Sequence, residues 1–174
     1  VFEVDLPVNV ARKFKTVRRV LGELPLSVRL VALDLERDDL LTALGEHGYL
    51  PGFRVFFICE GVTQYLTEAT VRRTLEGLRA AAPGSRLAFT YVRRDFIDGT
   101  NRYGTHVLYR AVRQRRQLWH FGLQPDEVAA FVAGYGWRLV EQAGPDELAR
   151  RYVEPTGRAL STSALEWSAF AEKI

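Results

Sequence analysis

Three short apolar runs, each closed by a carboxylate, set the pattern of this chain. Val1–Asp5 alternates apolar and acidic residues, which predicts a strand ending in Asp5. Ser27–Asp34 is rich in branched aliphatics and predicts a buried strand over Ser27–Leu33, followed by Asp34. Phe53–Glu60 is apolar on both faces, which predicts a central strand over Phe53–Cys59, followed by Glu60. The three acids fall 29 and 26 residues apart, close to the ~30 residues of a strand–helix–strand unit. Between them, Leu6-Pro7 reads as a break and Asn9 as the cap of a basic helix from Val10 to about Leu21. A shorter helix over Asp38–Glu46 places Leu40, Leu41 and Leu44 on one face. A third helix is capped by Thr67, buries Val71, Leu75 and Leu78, and ends at Pro83-Gly84. Arg86–Val92 is the next strand. This order, β-α-β-α-β-α-β, predicts parallel strands joined by helical crossovers.

Beyond Val92 the periodicity weakens. Residues 93–124 read as loop with a helix around Gly104–Arg116. A helix then opens at Gln124-Pro125-Asp126 and runs to about Gly134, a strand covers Trp137–Gln142, and a short helix covers Pro145–Tyr152. A last strand is expected around Leu165–Ala171.

Composition narrows the class. The 174 residues suit one domain with its own core, and the 47% apolar and 26% charged content is that of an ordinary globular protein. No apolar run approaches the ~18 residues of a membrane helix, and no signal-peptide pattern opens the chain. Cys59 is the only cysteine, so no intrachain disulfide forms, and a cytoplasmic protein is the expectation. The charge of +3 reads as a solvated, arginine-rich surface. The densest patch, Arg110, Arg113, Arg115 and Arg116, is expected to coat an exposed helix or loop, and nucleic-acid binding is not expected. The chain contains no methionine and opens inside an apparent strand, so the N-terminal part of a longer protein is expected to be absent.

In an open parallel α/β sheet, ligands bind outside the carboxyl ends of the strands. Three acids on that edge suit a ligand rich in hydroxyls, amines or positive charge. The three histidines and one cysteine show no metal-ligand spacing. Neither a GxSxG elbow nor a GxGxxG turn occurs.

The segments VFEVDLP with downstream Lys13 or Lys15, VALDLERDDL, FFICEGVTQYLTEATV, PGSRLAFTYV and FGLQPDEVAAFVAGYGWRLVE occur here in one order along nearly the whole chain. They resemble the leucine carboxyl methyltransferase-like family of S-adenosylmethionine-dependent methyltransferases, in its bacterial branch of O-methyltransferases. EGVTQYLT is the most specific piece. The resemblance implies an α/β fold: a Rossmann-like class I methyltransferase sheet, mostly parallel, with antiparallel structure at its C-terminal end. It also implies a glycine-rich loop after a first strand, and helices before that strand; this chain has neither. That departure leaves two accounts, a fragment of such an enzyme or a non-catalytic binding or scaffold module that kept the fold. Loss of a central strand would leave the isolated chain unstable or in need of a partner.

The resemblance also assigns roles, with S-adenosyl-L-methionine as cofactor. Asp5 would hold the ribose hydroxyls by charge-assisted bonds, with Glu3 facing the same way or anchoring a lysine. Asp34 and Leu35 would contact the adenine, Asp34 having a helix cap as its alternative role. Asp38 and Asp39 read as first-turn acids of a helix. Glu60 would lie near the cofactor's amino-acid end, and Gly61 would allow a sharp turn beside it. Residues 93–124 would form a lid and acceptor pocket, with Tyr65, Tyr91 and Arg93 lining the methyl-transfer site and Tyr103, Tyr109 and Trp119 adding aromatic surface. A carboxylate acceptor is already ionised near pH 7 and needs no general base; for a hydroxyl acceptor, His106 or His120 would serve. The implied partner is a small-molecule methyl acceptor, or a protein C-terminal carboxylate. Nothing in the sequence sets an oligomeric state.

Overall fold

A computed structural model describes residues 1–115 and 117–174, with the side chains of Gln114 and Arg115 outside the description. The chain forms two compact units, Val1–Pro51 and Gly52–Ile174.

In the first unit, β1 (Phe2–Asp5) and β2 (Arg29–Ala32) pair in parallel, with Asp5 opposite Ala32. The helix between them, α1 (Pro7–Leu21), begins three residues earlier than the periodicity predicts. Pro7 occupies the first helical turn, where its fixed φ fits and its missing N–H costs nothing. It starts this helix rather than breaking the chain, and Asn9 lies inside the helix. The second helix, α2 (Leu40–Glu46), starts two residues later than expected, because Asp39 caps it by accepting from the Thr42 N–H at 2.8 Å. Val31, Leu33, Leu44 and Tyr49 are buried, and the Phe2 ring stands edge-on to Tyr49.

In the second unit, a four-stranded sheet has the order β3-β4-β6-β5. Its strands are β3 (Phe56–Cys59), β4 (Arg86–Val92), β5 (Trp137–Ala143) and β6 (Glu166–Lys173). β3 and β4 are parallel, whereas β6 lies antiparallel between β4 and β5. The expected crossover order and antiparallel C-terminal strands are therefore present. Within this unit's sheet, however, β3 is the edge strand rather than a central one. Its apolar residues on both faces do not imply cover on both: Phe56 and Ile58 are 54% and 68% exposed.

Helix α3 (Glu68–Leu78) starts at its predicted cap, where the Thr67 side chain accepts from the Thr70 N–H, and it buries Val71, Leu75 and Leu78. A short α4 (Arg94–Ile97) follows β4 directly and was not foreseen. Its Phe96 and Ile97 join Val92, Val112 and Leu165 in a buried cluster, with Tyr103, Tyr109 and Trp119 packed against it. The helix expected around Gly104–Arg116 is α5 (His106–Tyr109), continued by a π-helical turn over Arg110–Arg115. Arg113 does not coat a surface there. Its guanidinium donates to the carbonyls of Ile97 (2.9 Å) and Trp119, tying the π turn to its neighbours. Arg116 and the side chain of Arg115 lie outside the described residues. A 3-10 turn (Pro125–Glu127) leads into α6 (Val128–Ala133), which buries Val128 and Val132. The helix after β5 is likewise irregular: α7 (Pro145–Leu148) gives way to a π turn and then to a 3-10 turn ending at Thr156. Among the described residues, no helix is long and apolar enough to cross a membrane.

Candidate functional site

In the first unit, the two candidate acids lie at the carboxyl ends of adjacent parallel strands, Asp5 as the last residue of β1 and Asp34 two residues past β2. Asp5 closes β1, and its backbone carbonyl accepts from the Leu33 N–H (2.9 Å) just beyond β2. The Asp5 side chain is exposed, and both of its hydrogen bonds, from the Leu6 N–H (2.7 Å) and the Asn9 amide (2.8 Å), fall on Oδ1. Among the described residues, Oδ2 therefore keeps its capacity to accept. Asp34 shapes a tight turn: Oδ1 accepts from the Glu36 N–H (3.1 Å), and Oδ2 is 3.5 Å from Arg37 Nε. The Asp34 N–H in turn donates to Asp38 Oδ2 (2.9 Å), so Asp38 braces this turn while Asp39 caps the helix. Asp34 itself is not the cap. Leu35 is half-buried beside it. Glu3 pairs with Lys13, the alternative role foreseen for it.

In the second unit, Glu60 follows β3 and is exposed. The turn after it is stapled to β4 at one residue. The Gly61 N–H donates to Thr90 Oγ1 (2.8 Å), and the Thr63 hydroxyl donates to the Thr90 carbonyl (2.8 Å). Gly61 has φ +65°, a conformation that side chains rarely adopt. Tyr65 is half-exposed, with its ring edge-on to Trp119. His106 opens α5 and His120 lies beyond the π turn; both are exposed.

Tyr91 and Arg93 project from the end of β4. Tyr91 is wholly buried, and its hydroxyl has no partner among the described residues. Burial raises its pKa further above the ordinary phenol value, so it stays protonated near neutral pH. Arg93 is already committed: it forks onto both Asp95 oxygens (3.2 and 3.3 Å) and reaches Gln124 Oε1 (3.2 Å). Its guanidinium lies over the Tyr103 ring at 5.3 Å, and the Tyr103 hydroxyl donates to Asp95. Sequence reasoning missed Asp95 and Gln124 as members of this network. The two-residue spacing from Arg93 to Asp95 was its only local signal.

Burial works against the Asp95 carboxylate, but the Tyr103 and Arg93 hydrogen bonds together hold its pKa below the usual range. Tyr103 is pushed up to about 12, by burial and by its bond to Asp95. A carboxyl with a lowered folded-state pKa stabilises the fold above its unfolded value, about 3.9, and loses that contribution as pH falls through the folded value. Urea titrations across pH are expected to show Asp95→Asn less stable than the parent at pH 7. The difference should shrink below about pH 4 as the parent Asp95 itself becomes protonated.

A family model described as leucine carboxyl methyltransferase matches residues 1–79. A relative from Mycobacterium bovis (strain BCG / Pasteur 1173P2), named "Putative S-adenosyl-L-methionine-dependent methyltransferase", is 34% identical over 89% of this chain and 51% of its own length. One of the same name from Mycobacterium sp. (strain KMS) is 30% identical over 92% of this chain and 55% of its own length. The chain thus spans about half the length of the curated relatives it matches. Among solved structures, a "putative methyltransferase" from Thermobifida fusca YX superposes with a TM-score of 0.67 at 20% identity, over 99% of this chain and 62% of that one. Magnesium protoporphyrin IX methyltransferase from Synechocystis PCC 6803, solved with bound SAH, gives 0.58 at 12% identity, over 100% of this chain and 64% of that one. These likenesses fix the fold as a Rossmann-like methyltransferase α/β fold. With the match over residues 1–79, they make the chain similar to the leucine carboxyl methyltransferase-like family of S-adenosylmethionine-dependent methyltransferases.

Proposed function

We propose that these 174 residues act as one methyltransferase domain, in an S-adenosylmethionine-dependent O-methyltransferase whose acceptor is a carboxylate or hydroxyl of a small molecule. The observation that carries this reading is made in each unit separately: in the first, Asp5 ends β1 and Asp34 follows its parallel partner β2, and in the second, Glu60 directly follows β3, a strand parallel to β4. The chemistry of these groups fits the cofactor. The open Oδ2 of Asp5 suits a ribose hydroxyl, and Asp34, with Leu35 beside it, suits the adenine amine and ring. The exposed Glu60 carboxylate suits an ammonium. When bound, the cofactor supplies an electrophilic methyl group on a sulfonium sulfur.

The chain's own part in the reaction is binding and orientation. Tyr65 offers a half-exposed aromatic wall for the acceptor. Tyr91 and Arg93 stiffen the acceptor side from beneath, because Tyr91 is buried and Arg93 is held by Asp95 and Gln124. Residues 93–124 form the acceptor-side lid. A carboxylate acceptor needs no proton removed, so positioning and exclusion of water supply the acceleration. The test is transfer of labelled methyl from S-adenosylmethionine to a panel of small carboxylic acids, phenols and alcohols, alongside a peptide with a free C-terminus. Base-labile label on a small molecule indicates a methyl ester, and base-stable label a methyl ether. Label on the peptide alone would replace the small-molecule reading with a protein carboxylate. No transfer by a protein that does bind the cofactor would favour a non-catalytic module.

A further inference from the structure

The turn after β3 meets the chain after the π turn through Gln64 and Tyr65 on one side and Trp119, His120 and Phe121 on the other. The His120 N–H donates to the Gln64 carbonyl (2.7 Å), and the Tyr65 and Trp119 rings meet edge to face at 6.2 Å. Trp119 also packs on Phe96, with ring centroids 5.9 Å apart. Gln64 is 5% exposed, although Tyr65 next to it is half-exposed. Within this contact, Gln64 Oε1 and Trp119 Nε1 are both buried without a hydrogen-bond partner among the described residues. One is an acceptor and the other a donor, and each carries the desolvation penalty of a buried group with no partner.

Tyr91, Trp137, Gln142 and Trp167 also bury unpaired atoms. Those residues belong to β4, β5 and β6, which cannot part without disrupting the sheet. Gln64 and Trp119 differ, because they sit on a turn and on a short strap. The strap is anchored at each end by a backbone bond, from Leu118 to Val112 (2.7 Å) and from Leu123 to Val92 (3.0 Å). Between those anchors, the Arg113 bond to the Trp119 carbonyl and the bonds from the His120 and Phe121 N–H groups to the Gln64 carbonyl (2.7 and 3.5 Å) fasten it. Gln117, at its start, holds φ +47°, a left-handed conformation that is costly outside glycine.

We propose that residues 117–121 form a latch on the Gln64–Tyr65 turn, and that it opens locally to admit the methyl acceptor beside Glu60 and Tyr65. The proposal rests on the acceptor-side reading of that turn. Opening gives both unpaired atoms to water, which offsets part of the cost of losing the His120 and Phe121 bonds to Gln64 and the ring contacts of Trp119 and Phe121. The closed latch is therefore poised to release without unfolding the sheet behind it.

Amide hydrogen exchange of His120, read by NMR as a ratio to the β4 amides, tests this with no cofactor or acceptor present. Gln64→Leu and Gln64→Met keep the side-chain bulk and remove the unpaired acceptor. In the parent, His120 should exchange faster than the β4 interior. In both variants it should slow about tenfold relative to β4, since 1.4 kcal/mol of closing penalty corresponds to a factor of ten. A His120 amide that exchanges at the β4 rate in the parent, or that is unchanged or faster relative to β4 in both variants, overturns the latch. Absence of methyl transfer beside a slowed His120 would overturn the acceptor reading and leave the latch standing.

Discussion

Replacing Phe96 with alanine is expected to cost the second unit about 3–5 kcal/mol, the range for emptying a buried aromatic site. Phe96 is fully buried and lies among Val92, Ile97, Val112 and Leu165. Its ring meets Tyr109 edge-on at 5.3 Å and Trp119 at 5.9 Å, so two aromatic rings lose a partner together. Domains of this size are held by only about 5–15 kcal/mol. The loss should therefore move the urea midpoint far to the left, and partial unfolding in plain buffer is the extreme outcome. A change below about 1 kcal/mol would mean that the residues around Phe96 do not form the packed base of the acceptor side.

The second large effect concerns ligand binding. Asp5→Asn is expected to weaken S-adenosylmethionine roughly ten- to hundred-fold, because a hydrogen bond to a charged group contributes about 1.5–3 kcal/mol. The substitution keeps an oxygen that can accept from the Leu6 N–H, the bond that closes β1 onto α1. Folding should therefore be spared while the charge is lost. Glu3→Gln is the matched control: it removes the pairing with Lys13, a half-exposed contact of small energy, and should leave cofactor affinity unchanged. Equal losses in both variants, measured by calorimetric titration, would indicate a general effect of charge rather than a ribose contact at Asp5.

Strand positions were legible because each apolar run is short and ends at a carboxylate or a turn. Arg86–Val92 matches its observed bounds, and the last strand differs by only one or two residues at each end. Helix starts were harder to place. Pro7 and Asn9 both resemble helix-start residues, and a proline in the first turn wins when the following residues supply the apolar face. The irregular helices were not legible, since a π turn such as Arg110–Arg115 has no residue signature of its own. The exposed place of β3 was misread because apolar composition reports what a strand can bury, not what covers it. The strand-end positions of Asp5, Asp34 and Glu60 could be read from the apolar runs alone. Thr90, which staples the turn after Glu60, and Asp95, which holds Arg93, could not, because their partners are set by tertiary structure.

The central claim is that the acids at these strand ends serve S-adenosylmethionine. Its most direct test is calorimetric titration of that cofactor and of its demethylated product into the 174-residue chain, beside a version extended upstream of Val1. Each should also carry Asp5→Asn, Asp34→Asn or Glu60→Gln in turn. The account predicts binding by at least the extended protein, weakened by each substitution. Binding by neither protein, or binding that none of the three substitutions weakens, would contradict it.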